Sequence, residues 1–583
     1  MEKENLIMVR HSLAHILALA VLRTYPDVKF AIGPDVDNGF YYDIDFFDKK
    51  ISEADLLIIE KKMKHIIKQN LKFVRKEKDI VEAIKEARSG QDVYKLEILE
   101  ELQEKGETKV SYYELGEFSD LCRGPHIESS GKVKEGSFKL NKIAGAYWRG
   151  DEKNKMLTRI YGFAFPEAED LKDYLNLLKE AEKRDHRRLG KELDLFSISE
   201  KVGPGLILWH PKLAKVREAV ESFWRQFHRQ RGYDTVYTPH IGRSLLWETS
   251  GHLGFFKDSM YSPIEVDGDK YFVKPMNCPF HVEIYKSKPR SWRDFPFRWN
   301  ELGAVYRYEK SGELNGMLRV RGLTQDDAHV ICRPDQFVDE YREVLKFSFD
   351  MFKVFGFTDL KGYVAVRDPK NIKNYMGDNK IWDLAEKTIK ELVSEFNMPY
   401  EVEEGGAKFY GPSLDIKAKD SIGREWQLTT IQLDFNLPEK FNMTYQGPEK
   451  EERPIMIHRA LLGSLERFFG VLIEHYGGAF PVWMAPVQVK IISVGEKHID
   501  YCQELKKEFL DLDLRSELDI DNETVANKIR KAVGERVPYI IVVGDKEAKG
   551  KILAVRKRGE QKIEEVKKDI FFKNLQKEIF AKK

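Results

Sequence analysis

Three arginines surround a flexible stretch in the middle of the chain. Arg307, Arg319 and Arg321 lie within residues 306–329, where glycine and serine occur between them. A guanidinium binds phosphate oxygens through paired hydrogen bonds, so three of them beside a flexible turn could bind a polyphosphate. From spacing alone, a β-hairpin with a solvated charged face is an equally good interpretation.

One cysteine and two histidines could form a metal site, although they lie far apart in the sequence. Cys278, His329 and His458 show none of the short spacings, such as Cys-x-x-Cys, that identify a zinc site. On composition alone, a buried cysteine and two core histidines are the better interpretation. If the three side chains converge, they supply three ligands to a tetrahedral ion and leave its fourth position open for a substrate.

A second group of such residues lies in the first part of the chain. His11 and His15 have the i, i+4 spacing of two metal ligands, but the His-Glu-x-x-His motif of zinc proteases is absent. Residues 120–126 contribute Asp120, Cys122 and His126. These side chains could form a tetrahedral zinc site or a metal-free hydrolytic pocket, and the sequence leaves both open.

The hydrophobic pattern predicts the elements that position these residues in a multidomain α+β protein. An amphipathic helix is predicted from Val9 to Tyr25, with mixed strands and helices up to residue 165. The highly charged residues 166–190 predict a solvated connecting helix. Residues 191–481 alternate aromatic-rich strands with helices, and the period-2 pattern of residues 425–435 favours antiparallel pairing. Residues 482–583 alternate strands with charged helices, which predicts a small parallel βαβ domain.

The composition is that of a soluble protein with several domains. The chain has 583 residues, 42% of them hydrophobic, and 97 basic residues against 96 acidic ones, so any nucleic-acid surface must be local. Four cysteines cannot form a disulfide framework, which indicates a reducing compartment. The N-terminal residues lack the apolar region of a signal peptide, and no run of 18 apolar residues occurs. We therefore expect a cytoplasmic protein that does not associate with membranes.

Several motifs together resemble those of the threonyl-tRNA synthetases, a family of class II aminoacyl-tRNA synthetases. Residues 224–239, ending in Tyr-Thr-Pro, resemble motif 1, and residues 298–329 resemble motif 2. Met276-Asn-Cys-Pro-Phe-His resembles the zinc-binding segment, and residues 457–468 resemble motif 3. The resemblance covers nearly the whole chain.

The resemblance implies three domains joined by a helix. An N-terminal α+β editing domain would occupy residues 1–165, and the connecting helix residues 166–190. A class II catalytic domain, with an antiparallel sheet and a zinc site, would occupy residues 191–481. An α/β anticodon-binding domain would occupy residues 482–583.

Two departures from the family pattern stand out. The further small domain that commonly precedes the editing domain is not expected here, because the first histidine of the editing domain is already His11. The family's Tyr-Gly-Pro-Lys segment reads Tyr410-Gly-Pro-Ser413 here, so a lysine often found near the substrate is missing. The role of that lysine must be dispensable or must be filled by another residue.

The resemblance implies a two-step ligation by threonine–tRNA ligase chemistry. Threonine attacks the α-phosphate of ATP, and the threonyl-adenylate then acylates the terminal adenosine of tRNA(Thr). Arg307 would contact the α-phosphate and Glu309 the adenine amino group. Arg319 and Arg467 would contact the distal phosphates, Gln427 the ribose, and Mg²⁺ would bridge phosphates.

The resemblance also makes Cys278, His329 and His458 the ligands of one Zn²⁺. Threonine would fill the open position through its amino and hydroxyl groups. This excludes valine, which an apolar pocket alone would reject only about a hundredfold. The family residues that hold the threonine hydroxyl or amine are matched here by Asp327, Tyr410 and Gln432. Matches near the terminal ribose of the tRNA are His252 and Gln325.

Serine also carries an amino group and a β-hydroxyl, so zinc cannot exclude it, and a second sieve is implied. The N-terminal domain would hydrolyse seryl-tRNA through water, without a firmly bound metal. The residues that match this editing site are His11, His15, Asp120, Cys122 and His126.

The C-terminal domain would read the anticodon through Asn522, Arg530, Glu547 and Arg556. Arginine and asparagine can hydrogen-bond the splayed bases of a single-stranded loop. Without the resemblance, these four are ordinary surface residues. The family's motif 1 lies at a two-fold interface, which implies a homodimer.

Two other classes of protein are alternatives. A free-standing editing hydrolase or RNA-binding regulator with a decayed synthetase core would have lost residues of motifs 2 and 3, yet Arg307, Glu309, Arg319 and Arg467 are present. A synthetase for serine or proline would not need the set of one cysteine and two histidines.

Overall fold

The computed structural model describes residues 3–376 and 378–583, which form two compact units. The first unit ends at Lys179 and the second begins at Glu180.

The first unit is built around the helix Lys3–Leu22. Its apolar residues recur every three or four positions, and Leu13, Ile16, Leu17 and Ala20 are fully buried. By length and composition, residues 5–22 could also cross a membrane, although 61% of this segment is buried inside the unit. That burial is typical of a core helix in a globular domain.

Two antiparallel sheets complete this unit. The strands of the larger sheet are Lys29–Phe30, Asp35–Val36, Gly39–Asp45, Met156–Ala164 and Phe138–Tyr147. Those of the smaller sheet are Phe73–Asp79, Lys109–Leu115 and Phe118–Leu121. The remaining helices are Glu53–Gln69, Ile80–Ser89 and Val93–Glu104.

The connecting segment, expected as a single helix over residues 166–190, contains two helices. The first is Ala168–Arg184 and the second is His186–Glu192. They are separated at Asp185, whose carboxylate accepts a hydrogen bond from the backbone N–H of Arg187 at 2.8 Å and caps the second helix. Burial of His186 and Leu189 makes the second helix part of the core of its unit.

An eight-stranded sheet forms the centre of the second unit. Its inner strands pair antiparallel, as the alternation of residues 425–435 predicts, and each edge strand pairs parallel with its neighbour. In spatial order the strands are Asp234–Thr235, Phe297–Tyr306, Gly322–Cys332, Ile455–Ala460, Glu425–Asp434, Ser413–Lys419, Leu360–Val366 and Tyr400–Glu404.

Long helices pack against this sheet and bury the largest apolar cluster of the chain. These helices are Pro211–Arg229, Phe337–Val354, Asn379–Glu395 and Leu465–Tyr476. Shorter helices are Ser244–Thr249, His252–Phe255, Cys278–Lys286 and Asn436–Lys440. Small additional strands are Phe196–Ile198, Ile207–Trp209, Ile241–Arg243, Ile264–Val266, Asp269–Val273, Tyr445–Gln446 and Glu451–Glu452.

The C-terminal part has its own sheet and apolar core. Three strands pair parallel, as predicted: Ser516–Asp519, Val489–Ser493 and Tyr539–Val543. The alternation predicted only parallel strands and charged helices in this part, and that prediction is wrong for residues 552–567. Ile552–Lys557 and Ile563–Lys567 form an antiparallel hairpin, because Leu553 and Val555 are buried on alternate positions and Gly559 adopts a φ of 83° in the turn. The helices here are Ile499–Asp511, Val525–Gly534, Asp545–Lys549 and Lys568–Phe580.

Candidate functional site

Several predicted residues of the second unit lie on one face of the central sheet. Gln325, Asp327 and His329 alternate along the strand Gly322–Cys332, so all three point to the same face. His458 lies directly opposite His329 on one neighbouring strand, and Gln432 lies opposite His458 on the next. Directly opposed residues of antiparallel strands share a face, so the register forms a polar row across three strands.

Cys278 completes a possible metal site beside this row. It is the first residue of the helix Cys278–Lys286, and its sulfur, a His329 nitrogen and a His458 nitrogen all lie within 4.8 Å of one another. His329 Nε2 and His458 Nδ1 are 2.9 Å apart. Burial holds the pKa of the Cys278 thiol well above its usual range. One sulfur and two imidazole nitrogens in this arrangement fit three ligands of a tetrahedral zinc ion.

The outer ring nitrogens of this cluster are held by side chains that the sequence analysis missed. His329 Nδ1 lies 2.8 Å from His281 Nδ1, and His281 Nε2 lies 3.2 Å from the Glu301 carboxylate. His458 Nε2 lies 2.8 Å from the Asp434 carboxylate. Such partners fix the orientation and tautomer of metal-binding histidines. The i, i+3 spacing of Cys278 and His281 was the available sequence signal.

The residues expected to hold threonine lie around the same cluster. Asn277 Nδ2 donates to the Asp327 carboxylate at 2.9 Å, and Tyr410 Oη donates to Gln432 Oε1 at 3.1 Å. Gly303 lies beneath Asn277, where a Cβ would come within 2.4 Å of the amide. A side chain at position 303 would therefore displace Asn277 from Asp327.

Ser413, which replaces the family's lysine, faces this site. It lies directly opposite Gln432 on the adjoining strand and is 4% exposed. Opposed residues of antiparallel strands share a face, so the Ser413 side chain lies on the face of the polar row.

The motif 2 loop, residues 307–321, is the connection of a β-hairpin. The backbone N–H of Arg307 donates to Arg321 O at 2.9 Å at its base, and Arg307 Nε donates to Pro275 O at 3.3 Å. Arg321 Nε donates to Glu309 O at 2.9 Å, so Arg321 holds the loop backbone. The Arg319 guanidinium is half exposed and pairs with the carboxylates of Glu309 and Glu313 at 2.8 and 2.9 Å.

Arg467 faces this loop from the first turn of the helix Leu465–Tyr476. Its Nε is buried and has no hydrogen-bond partner within residues 3–376 and 378–583. Burial lowers the pKa of Arg467, and the charge of Arg319 lowers it further. Burial also lowers the pKa of Arg307. Desolvated guanidiniums with unused donors suit a polyanionic ligand such as a polyphosphate.

Three other predicted residues border the site. His252 Nδ1 lies 2.7 Å from Ser250 Oγ, and burial lowers the pKa of His252 to about 4, so this imidazole is neutral at pH 7. Gln325 Oε1 is buried without a hydrogen-bond partner in the described part of the chain. Gln427 is exposed and reaches the same face as Gln432, because a β-bulge at Leu428 inserts one extra residue between them.

The N-terminal residues form a separate cluster in the first unit. Cys122 Sγ lies 3.3 Å from both His11 Nε2 and His126 Nε2, and Ser12 Oγ lies 3.0 Å from His126 Nδ1. One ligand atom from each of these residues and His15 falls within 4.8 Å of the others. The structure therefore brings the His11–His15 pair next to the Cys122–His126 pair, although the two pairs lie far apart in the sequence.

A cavity of about 490 Å³ opens beside this cluster and contains Asp120. Asp120 Oδ2 lies 4.0 Å from His15 Nε2 and accepts a hydrogen bond from the Tyr42 hydroxyl. Lys95, which the sequence analysis missed, pairs with the other oxygen of Asp120 and donates to Ala31 O at 2.7 Å. Lys95 lies in an ordinary charged helix, so nothing in its spacing identified it.

Burial controls protonation in this cavity. It lowers the pKa of His126 to about 2 and lowers that of His15 strongly, so both imidazoles are neutral at pH 7. It raises the pKa of Cys122 to about 11, which keeps the thiol protonated. Neutral imidazoles, a thiol and an ion-paired carboxylate can orient a water molecule through hydrogen bonds.

The four anticodon candidates lie around the C-terminal sheet. Asn522 and Glu547 follow the carboxyl ends of two parallel strands, and Arg530 lies on the helix Val525–Gly534. Arg556 lies opposite Ile540, near the other end of the sheet, and its Nε donates to Glu560 O at 2.9 Å. Asn522 and Arg530 are exposed.

Three family models match the chain. The tRNA synthetase class II core domain (G, H, P, S and T) matches residues 261–476, and the anticodon binding domain matches residues 488–578. The threonyl and alanyl tRNA synthetase second additional domain matches residues 110–161. These matches confirm the expected multidomain fold: a class II core with an antiparallel sheet, an N-terminal α+β editing domain and a C-terminal α/β anticodon-binding domain.

Relatives match over nearly the full length. A threonine–tRNA ligase from Sulfurihydrogenibium is 49% identical over 585 residues, covering 100% of this chain and 90% of the relative. One from Borreliella burgdorferi is 49% identical and covers 99% of both chains. The crystal structure of the RNA binding domain of threonyl-tRNA synthetase from Cryptosporidium parvum superposes with a TM-score of 0.64 at 34% identity, over 68% of this chain and 98% of that one. The chain therefore belongs to the threonine–tRNA ligase family of class II aminoacyl-tRNA synthetases.

Proposed function

We propose that the polar row on the central sheet is the synthetic active site, where L-threonine is activated with ATP and then transferred to tRNA(Thr). The observation that carries this proposal is the convergence of Cys278, His329 and His458 next to Asp327 and Gln432. Membership of the threonine–tRNA ligase family supports the same reaction.

We assign Cys278, His329 and His458 as the ligands of one Zn²⁺. When bound, the ion supplies an open coordination position for the amino and hydroxyl groups of threonine. Asp327, steadied by Asn277, and Gln432, steadied by Tyr410, would orient the substrate from either side of the cluster. Valine lacks the hydroxyl and would leave these polar groups without a partner.

The arginines of the motif 2 loop and of motif 3 would hold ATP. Arg307 is desolvated by burial and would stabilise the charge that develops on the α-phosphate. Arg319 and Arg467 would bind the distal phosphates together with Mg²⁺, and binding would relieve their mutual repulsion. Glu309 would leave its pair with Arg319 to bind adenine, and Gln427 would bind the ribose.

Transfer to tRNA would use the two remaining polar groups near the site. His252 is neutral and therefore able to accept a proton, and the buried Gln325 Oε1 has a free acceptor position. Both would orient the terminal ribose of the tRNA.

The cavity of the first unit would hydrolyse seryl-tRNA. His11, His15, Cys122 and His126 would orient water, while the Asp120–Lys95 pair would hold the charge at the back of the cavity. We propose that this site hydrolyses the ester with water and without a firmly bound metal.

The remaining assignments concern binding and organisation. Residues 1–165, 166–190, 191–481 and 482–583 would be the editing domain, connection, catalytic domain and anticodon-binding domain. The anticodon would be read by Asn522, Arg530, Glu547 and Arg556. The protein would act in the cytoplasm as a homodimer, which the exposed apolar residues Tyr237, Ile241 and Leu245 at and beyond motif 1 support.

Zinc content measured beside threonine-dependent ATP–pyrophosphate exchange tests the proposal. We expect one zinc per chain, lost together with exchange activity in Cys278→Ala, because this change removes a ligand of the substrate-binding ion. Cys122→Ala is the matched control and should keep both. Full exchange activity in zinc-free protein, or zinc lost only from Cys122→Ala, would refute the assignment.

A further inference from the structure

A buried histidine outside the site joins the motif 2 loop to the motif 3 helix. His186 lies in the helix His186–Glu192 and is 1% exposed. Its Nδ1 lies 2.7 Å from the Glu474 carboxylate, and its Nε2 accepts the backbone N–H of Met317 at 3.0 Å. Because a backbone N–H can only donate, Nε2 carries no proton and Nδ1 donates to Glu474.

Glu474 is held in place from several sides. The same carboxylate oxygen accepts the backbone N–H of His186 at 3.1 Å, and its other oxygen lies 2.6 Å from Arg424 Nη2. Glu474 follows Arg467 by seven positions on the same helix, so both side chains lie on one face. The histidine is therefore anchored on the face of the helix that carries Arg467.

Two glycines make this close packing possible. Gly316 has a φ of 51°, and a Cβ there would lie 2.2 Å from His186 Nε2. Gly470 lies between Arg467 and Glu474, where a Cβ would come within 3.1 Å of Leu318 and 3.3 Å of Met317. A glycine inside a helix lowers its stability by about 1 kcal/mol relative to alanine. The close contact with the loop explains why a glycine is present at this position.

The fixed part of the loop is the part that carries Arg319. Met317 is fully buried, and Asn315 and Arg319 form a small bridge on either side of it. The Arg319 side chain itself is half exposed and is not held by the core. The position of its guanidinium therefore depends on where Met317 is fixed.

We propose that His186 is a positioning residue for ATP binding: its ring links the Met317 N–H, which it accepts at Nε2, to the Glu474 carboxylate, to which it donates from Nδ1, and this link sets Arg319 opposite Arg467. This inference rests on the proposed roles of Arg319 and Arg467. It adds the residue that fixes the position of Arg319 relative to Arg467. His186 touches neither substrate and acts only through the loop.

Two substitutions separate the two hydrogen bonds of the ring. The amide of His186→Gln reaches the position of Nε2 and can still accept from Met317, whereas the amide of His186→Asn reaches only Nδ1 and can still donate to Glu474. In pyrophosphate exchange without tRNA, we expect His186→Asn to raise the KM for ATP about tenfold, because the buried Met317 N–H loses its acceptor. The KM for threonine should stay unchanged, and His186→Gln should restore most of the ATP affinity.

Controls separate this inference from a general loss of structure and from the proposed function. His498→Asn makes the same change at another buried histidine and should leave both KM values unchanged. If His186→Asn does not fold, Gly316→Ala, which places a methyl group against Nε2, should raise the KM for ATP instead. Equal effects of the Gln and Asn variants, or parallel rises of both KM values, would overturn the inference. Arg467→Ala should raise the KM for ATP; if it has no effect, the ATP site itself is wrongly assigned, whereas an effect there without one at His186 refutes only the positioning role.

Discussion

At the scale of single residues, the two clusters differ in what their neighbours do with the ring nitrogens. Around Cys278, the outer nitrogens of His329 and His458 are occupied by His281 and Asp434, and the inner nitrogens lie 2.9 Å apart with the sulfur within 4.8 Å. Around Cys122, the sulfur lies 3.3 Å from nitrogens of His11 and His126, and Ser12 occupies the far side of His126. Under the proposed function, similar residue types would bind a metal and the substrate in one unit and orient water in the other.

Arg307→Lys should lose most of the activity in the activation step. The positive charge that lysine retains should not be enough to replace the guanidinium. The ammonium of lysine is a point charge, whereas the guanidinium offers a planar pair of donors to the α-phosphate. Loss of one such electrostatic contact typically costs about a hundredfold to a thousandfold in kcat. Threonine-dependent pyrophosphate exchange measures this effect, with threonine affinity as the internal control. Near-normal turnover would contradict the assignment.

At the scale of elements, sequence periodicity predicted the antiparallel strand of residues 425–435, the parallel strands of the C-terminal part and the first helix. The hairpin of residues 552–567 was not predicted, because its charged residues alternate with only a few buried apolar ones. Without the family resemblance, Cys278, His329 and His458 read as core residues. Strand register brings the two histidines together, and the packing of the helix Cys278–Lys286 adds the sulfur; both are long-range properties.

Apart from His281, the residues that support the two sites were not predictable from their spacing. Lys95, Glu301 and Asp434 are ordinary charged residues in sequence, and each acts by reaching an element distant along the chain. A spacing rule applies within a helix or a strand and cannot report contacts between elements. The resemblance supplied the directly acting residues and left out the ones that hold them.

The first helix and the loop of His126 should separate more easily at low pH. The pKa of His126 is held near 2 in the folded protein and rises towards about 6.5 on unfolding, so the unfolded chain binds more protons between these values. Stability is therefore complete above about pH 6.5 and falls below it, by at most about 1.4 kcal/mol per pH unit for this histidine.

Hydrogen exchange of the helix Lys3–Leu22, corrected for the intrinsic rate, measures this dependence. Protection should fall from pH 7.5 to pH 5.5, and the fall should be smaller in His126→Gln. Equal slopes in the two proteins would mean that His126 is not the titrating group.

At the scale of the whole molecule, the class II core match and the second additional domain match lie in different compact units. Truncating His15 or Cys122 to alanine should leave threonylation nearly unchanged while seryl-tRNA accumulates. Valine should stay excluded, because its rejection belongs to the Cys278 cluster. Formation of seryl-, threonyl- and valyl-tRNA, measured side by side, distinguishes these outcomes. If no stable seryl-tRNA appears, the editing assignment fails even though the synthetic one stands.

The proposed homodimer can be tested by placing a charge on the apolar surface beyond motif 1. Tyr237 is 80% exposed, and Tyr237→Asp should convert the dimer to a monomer, since a two-fold interface contains the substituted residue twice. Sedimentation velocity reports the change. Leu510→Asp, which alters an equally exposed apolar residue in the C-terminal part, should leave the protein dimeric. Identical sedimentation of wild type and Tyr237→Asp would place the interface elsewhere.

The bulge at Leu428 has a consequence for how this gene can change. Gln427 and Gln432 are an odd number of positions apart and share a face only because of the one extra residue. An in-frame loss of the Leu428 codon would restore regular pairing and place Gln427 four positions from Gln432, still on the same face. An insertion that leaves the bulge in place would instead turn Gln427 towards the opposite side of the sheet. Among descendants, the strand is therefore expected to tolerate loss of the bulge residue more readily than gain of a residue between these two glutamines.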